Sequence, residues 1–141
     1  MKVLFIVNTE DLGFEEPLGI LYLSAVCKNS GHEVYAVKNN LPAIEKKLKS
    51  IKPDLIAVGV STPSFPYLFH TLSEVRSRYD IPTVFGGPHA TFFPEMIESP
   101  GVDAVCLGEG EAAFGDFLDL LGSGNDSTSV ENFWIKKNGR R

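Results

Sequence analysis

Three short stretches of this chain bring small, hydroxylated or proton-carrying residues together: Ser61-Thr62-Pro63, Gly86-Gly87-Pro88-His89-Ala90-Thr91 and Gly108-Glu109-Gly110-Glu111. Each follows a short apolar run. Paired glycines suit a tight turn, or an approach too close for any side chain; both remain open for Gly86-Gly87. Gly59 and Ser61 end one apolar run as Gly86 and Gly87 end the next. If those runs lie side by side, small residues leave a slot where a ligand can rest against backbone. His89 stands beside it, near a helix start, where its imidazole could serve a ligand or cap the turn. Of the other two histidines, His32 opens a strand at the far edge and His70 lies inside a helix pattern.

Gly108 to Ala113 fits the G-x-G-x-x-A dinucleotide fingerprint, but that turn belongs after the first strand of a sheet and here follows the fifth. No second βαβ unit supplies a ribose-binding carboxylate, and Glu131 precedes a strand instead of ending one. Dinucleotide binding is therefore not expected. Glu111 gains from the helix N-terminus in any case. There is no nucleophile elbow, P-loop lysine, H-E-x-x-H or cysteine cluster. The pattern is that of a binder, not a complete catalyst.

The elements that must carry these loops alternate. Strand-like runs at Lys2–Val7, Glu33–Val37, Leu55–Val60, Thr83–Phe85 and Ala104–Leu107 are separated by amphipathic helix patterns. Pro17 suits a first helical turn and Gly31 a stop, with Leu18, Leu21, Tyr22, Ala25 and Val26 at helical spacing between them. Ile44, Leu48 and Ile51 mark a second helix; Leu68, Leu72, Val75 and Tyr79 a third. Phe92, Phe93, Met96 and Ile97 mark a fourth, and Phe114, Phe117, Leu118 and Leu121 a fifth. Alternation of this kind predicts an α/β fold, and the nearly continuous apolar KVLFIV and LIAVGV predict strands covered on both faces. We expect a flavodoxin-like (Rossmann-like) doubly wound, five-stranded parallel sheet in order 2-1-3-4-5, with a short C-terminal strand. Ligands then sit at the strand carboxyl ends, near the switch between strands one and three.

A length of 141 residues, 43% hydrophobic and 22% charged, bounds one ordinary globular domain. A net charge of −5 without a basic stripe excludes a nucleic-acid partner. No apolar run approaches the roughly 18 residues that cross a membrane, and MKVLFIVNTED lacks a signal peptide's length and cleavage site, so a cytoplasmic protein is expected. Cys27 and Cys106 are too few for a disulfide framework or zinc site. GSGNDSTS at 122–129 reads as a linker, and ENFWIKKNGRR as a strand followed by an Asn138-Gly139 hairpin turn with no returning strand. That suggests a fragment: a domain at 1–121, then a bridge at 122–141.

PLGILYLSAVCKNSGHEV, KPDLIAVGVST, IPTVFGGPHATFFPEMI and VDAVCLGEGEAAF, in this order, resemble the N-terminal cobalamin-binding domain of cobalamin-dependent radical SAM enzymes. The subfamily most similar includes the anaerobic magnesium-protoporphyrin ester cyclase and related methyltransferases. The resemblance covers residues 1 to about 121, and FWIKKNG resembles the bridge to the catalytic barrel. It implies cobalamin at the strand ends, its tail along the small-residue slot. Gly86, Gly87, His89 and Thr91 match one pocket loop; Ser61, Thr62 and Pro63 a second; Gly108, Glu109, Gly110 and Glu111 a third; Leu18 and Gly19 a helix start beneath the corrin.

Many cobalamin domains carry D-x-H-x-x-G after the first strand, its histidine bound to cobalt. Here that loop reads NTEDLGFEEPLG, without histidine, which implies base-off cobalamin lacking a histidine ligand, suited to methyl transfer. The family's [4Fe-4S] cluster and S-adenosylmethionine require a C-x-x-x-C-x-x-C loop that Cys27 and Cys106 cannot form, so the resemblance assigns both to a C-terminal radical SAM catalytic domain. The alternative is the same fold with a degenerate pocket, docking substrate or a partner domain. A phosphoacceptor receiver would need an aspartate ending strand three and a lysine ending strand five; Asp54 precedes strand three, and strand five runs into Leu107-Gly108.

Overall fold

The computed structural model describes residues 1–8, 18–125 and 129–136. Six strands form one sheet in the order β2-β1-β3-β4-β5-β6: β1 Lys2–Val7, β2 Glu33–Lys38, β3 Leu55–Gly59, β4 Thr83–Gly86, β5 Ala104–Cys106 and β6 Phe133–Ile135. The first five are parallel, and β6 pairs antiparallel with β5. The doubly wound order expected from the sequence is present, and the short C-terminal strand closes its far edge.

Period-two alternation sorts the strand side chains into two cores. Leu4, Ile6, Ile56, Val58, Phe85 and Val105 face α2 (Leu41–Ile51) and α3 (Phe65–Arg76), burying Ile44, Leu48, Leu68, Leu72 and Val75. Val3, Phe5, Leu55, Ala57, Val84, Ala104 and Cys106 face α1 (Leu18–Asn29) and α5 (Glu111–Gly122), burying Cys27, Phe114, Phe117 and Leu118. Asn40 caps α2 by accepting from the Ala43 N–H at 3.1 Å. Gly31, at φ +79°, stops α1 as its position suggested.

Two helix expectations need correction. Of the stripe Leu18, Leu21, Tyr22, Ala25 and Val26, the first four are exposed and do not face the core; α1 packs through Ile20, Leu23 and Cys27, with Val26 against Gly115 of α5. Because α1 is apolar almost all round, its periodicity did not single out a face. The fourth pattern is not one helix. α4 covers only Pro88–Phe92, and Pro94 opens a separate 3-10 turn, Pro94–Glu98. A proline has no N–H to continue the ladder and its ring collides with the preceding turn, so Met96 and Ile97 are buried while Phe92 stays 76% exposed. The first-turn role of Pro17 and the Asn138-Gly139 turn lie outside the described residues.

Candidate functional site

At the carboxyl ends of β1, β3, β4 and β5 the chain leaves a cleft of about 860 Å3. It lies where α1 goes to one face of the sheet and α3 to the other, the switch between β1 and β3. Leu18, Gly19, Ser61, Pro63, Gly86, Gly87, Thr91, Gly108, Glu109, Gly110 and Glu111 line it, bringing together residues from four loops as expected. Thr62 and His89 do not line it. Asn8, Ala57, Gly59, Ser64, Phe92, Cys106 and Phe114 line it too. Of these, Ala57 and Gly59 were legible in principle, as alternate positions of β3 on one face.

The glycines divide by cause. Gly87 sits at φ +92°, and a Cβ there would lie 3.0 Å from the Val60 carbonyl oxygen and 3.1 Å from its nitrogen. Val60 and the Gly86-Gly87 turn are stitched together: Val60 N–H donates to the Gly86 carbonyl at 2.8 Å, and His89 N–H to the Val60 carbonyl at 3.0 Å. Gly87 therefore lacks a side chain because the backbone beside it leaves no room. Gly59, paired with Gly86 across β3 and β4, is the opposite case. A Cβ there would meet nothing within 4 Å, as also at Gly19 and Gly108. Open space beside a strand-end glycine belongs to the cleft.

His89 is only 9% exposed. Its ring stacks on Phe65 at 4.2 Å, with Phe93 4.9 Å away, and its Nδ1 is 3.2 Å from the Thr62 hydroxyl. Burial lowers its pKa from the ordinary 6.5, against a smaller opposing pull from Glu95. His89 thus bolts α4 to the loop after β3. Thr91 does the same on the other side: its hydroxyl accepts from the Gly108 N–H at 2.9 Å and donates to the Gly87 carbonyl at 3.1 Å. Ser64, 2% exposed, fixes the loop after β3 through the Ser61 N–H, hydroxyl and carbonyl. His32 lies at the opposite end of the sheet, between the Met1 nitrogen and the Asp119 carboxylate, and His70 is exposed on α3.

The charged side chains on the described cleft are Glu109 and Glu111. Glu111 is the first residue of α5, where a carboxylate favours the helix dipole. Cys106 lines the inner end; burial pushes its thiol up to about 11, with a further push from Glu111. Among the described residues no group of His, Cys, Asp and Glu is arranged to hold a metal ion. No described helix is long and apolar enough to cross a membrane.

A doubly wound parallel sheet with a small-residue cleft at its topological switch defines a Rossmann-like cofactor-binding domain. Residues 6–118 match the B12 binding domain family, and the chain belongs to it. It is 32% identical over 133 residues to an uncharacterized methyltransferase of Pyrococcus horikoshii, covering 88% of this chain and 28% of the relative. It is 31% identical over 139 residues to the anaerobic magnesium-protoporphyrin IX monomethyl ester cyclase of Rubrivivax gelatinosus, covering 88% and 25%. The chain therefore spans about a quarter of these relatives' length.

Solved structures share the fold. A radical S-adenosylmethionine methyltransferase, TsrM, from Kitasatospora setae, with cobalamin and a [4Fe-4S] cluster bound, gives a TM-score of 0.85 at 19% identity, over 97% of this chain and 27% of that one. The cobalamin-dependent S-adenosylmethionine radical enzyme OxsB, with aqua-cobalamin bound, gives 0.81 at 19% identity, over 99% and 21%.

Proposed function

We propose that this chain is the cobalamin-binding module of a longer radical SAM enzyme of methyltransferase or cyclase type. Residues 1–121 form the body of the module, and 122–141, which add β6 to its sheet, lead toward a C-terminal catalytic domain in the same polypeptide. That domain holds the [4Fe-4S] cluster and S-adenosylmethionine. The observation that carries this is the cleft at the β1–β3 switch, walled by glycine, serine and short apolar residues, in a chain of the B12 binding domain family. A flat macrocycle with a long tail fits such a place: Gly19, Gly59 and Gly108 leave open space where other residues would project, and the inner end is apolar.

The cofactor is held base-off, without a histidine on cobalt. Supporting this, residues 8–17 contain no histidine, and none of the three histidines lines the cleft. The imidazole of His89 is committed to Thr62 and Phe65. When bound, cobalamin supplies a cobalt able to accept and hand on a methyl group. The chain's own residues bind and orient. Ser61 and Pro63 form one rim, Thr91 and Gly108 the opposite one, and the Glu109 and Glu111 carboxylates offer acceptors to amide N–H groups at the corrin periphery.

The test is a visible absorption titration with hydroxocobalamin, followed by desalting. Retained corrin bands with a base-off spectrum are expected. Complete loss of colour would instead favour a degenerate pocket that docks substrate or a partner domain.

A further inference from the structure

The inner end of the cleft differs in chemistry from its rim. Its wall is Phe5, Ala57, Val84, Cys106 and Phe114, with Leu23 of α1 in the same cluster. None of these side chains bears a hydroxyl, an amide or a charge. The strand backbones beneath are engaged with one another: Phe5 pairs with Ala57, Ala57 with Val84, and Val84 with Ala104. Cys106 offers a neutral thiol, a weak donor at best. Among the described residues, the polar side chains of the lining lie at the rim: Asn8, Ser61, Ser64 and Glu109 in loops, Thr91 in α4 and Glu111 at the start of α5.

Building on the cobalamin assignment, we propose that this inner wall makes the chain selective for the lower base on the corrinoid tail. It accepts an apolar benzimidazole or phenol and disfavours a purine such as adenine. An adenine entering here gives up water around its exocyclic amine and ring nitrogens and finds no polar side chain on this wall among the described residues. One polar group buried without a partner weakens binding by about 5- to 150-fold. A methylated benzimidazole or a cresol has no such group to strand, and its ring gains from burial.

Equilibrium binding of three corrinoids to this chain tests the idea. The first is a cobamide with a p-cresol base, which has no nitrogen to coordinate cobalt, so base-off insertion costs it nothing. The second carries adenine, and the third, cobinamide, has no base. The p-cresol cobamide is expected to bind at least about fivefold tighter than the adenine cobamide, and tighter than cobinamide. Val84→Thr places a hydroxyl on the wall at nearly constant volume and should narrow the gap by improving the adenine cobamide. Cys106→Ser makes the same test should the threonine variant fail to fold.

Equal affinity for both cobamides, each above cobinamide, overturns the selectivity and leaves the cobalamin assignment standing. Equal affinity for all three means that the tail is not held in the cleft, and also overturns it. A gap left unchanged by the added hydroxyl counts against the unpaired-amine mechanism. Failure of all three to bind, with hydroxocobalamin also lost on desalting, overturns the assignment and the selectivity together.

Discussion

Substituting Gly59 and Gly87 separately distinguishes a glycine kept for the ligand from one kept for the fold. At Gly87, alanine must adopt φ +92° with its Cβ 3.0 Å from the Val60 carbonyl oxygen and 3.1 Å from the Val60 nitrogen. That backbone conformation, φ +92° with ψ −174°, is open essentially to glycine alone and costs another residue about 1–3 kcal/mol, and the contact is with backbone held by hydrogen bonds on both sides, which cannot swing aside. Together roughly 2–4 kcal/mol is expected. For a domain of this size about 4 °C is lost per kcal/mol, so Gly87→Ala should melt roughly 8–15 °C lower without any ligand. At Gly59, valine enters open space in an extended strand and should leave the melting temperature unchanged or raise it by a few degrees, since a strand glycine is itself destabilising by up to about 1 kcal/mol. Its methyls nevertheless fill part of the cleft, and hydroxocobalamin affinity should fall at least about tenfold, the scale on which a forced overlap of 1–3 kcal/mol acts. Differential scanning calorimetry and absorption titration on both variants give the readout. A Gly59→Val protein binding like the natural one would refute ligand occupancy beside β3, and a Gly87→Ala protein with an unchanged melting point would refute the backbone argument.

Three further outcomes are expected. His89→Gln should remove an acid-sensitive part of stability. Burial lowers the folded pKa of His89 below 6.5, so its contribution is complete above that pH and is lost as pH falls through the folded value; urea midpoints between pH 7.5 and 5 should be flatter for the variant. Cys27 and Cys106, both buried with thiols pushed up to about 11, should resist iodoacetamide at pH 8 until urea unfolds the chain, and rapid labelling in native buffer would contradict their burial. Thr91→Val deprives the Gly108 N–H of its acceptor and should cost about 1 kcal/mol, seen as a melting point about 4 °C lower, whereas Thr91→Ser should restore it.

Much of this architecture was legible because strands covered on both faces write themselves as unbroken apolar runs, as KVLFIV and LIAVG do. The loop positions then followed from topology, which is why Ser61, Gly86, Thr91 and Gly108 were found where they converge. What escaped was orientation. Nothing in GGPHAT distinguishes an imidazole aimed into the cleft from one folded back onto Phe65; the choice is made by an aromatic 24 residues earlier in the chain, between Phe65 and His89. Nor does a glycine doublet reveal that Gly87 faces backbone while Gly86 faces the Cys106 side chain, because that depends on Val60, just past the end of β3, and on β5. On α1 the apolar residues are spread around the helix, so the side meeting the sheet was decided by packing partners such as Gly110, whose missing side chain leaves room for Leu23.

The three residues of β6 have a consequence for how copies of the molecule behave in crowded solution. A long parallel sheet that ended on β5 would offer its apolar Ala104-Val105-Cys106 backbone as a template for another chain. β6 covers it, held by bonds from the Leu107 N–H to the Asn132 carbonyl at 2.7 Å and from the Lys136 N–H to the Asp103 carbonyl at 2.9 Å. The new edge is too short to seed growth, and Lys136 immediately after it adds a charge. The opposite edge, β2, begins with Glu33 and ends with Lys38, both exposed. Colloidal stability of this domain thus hangs on a three-residue strand behind the cleft wall, where Phe133 pairs with Cys106, and loss of β6 should be felt as turbidity and fibre formation at high concentration.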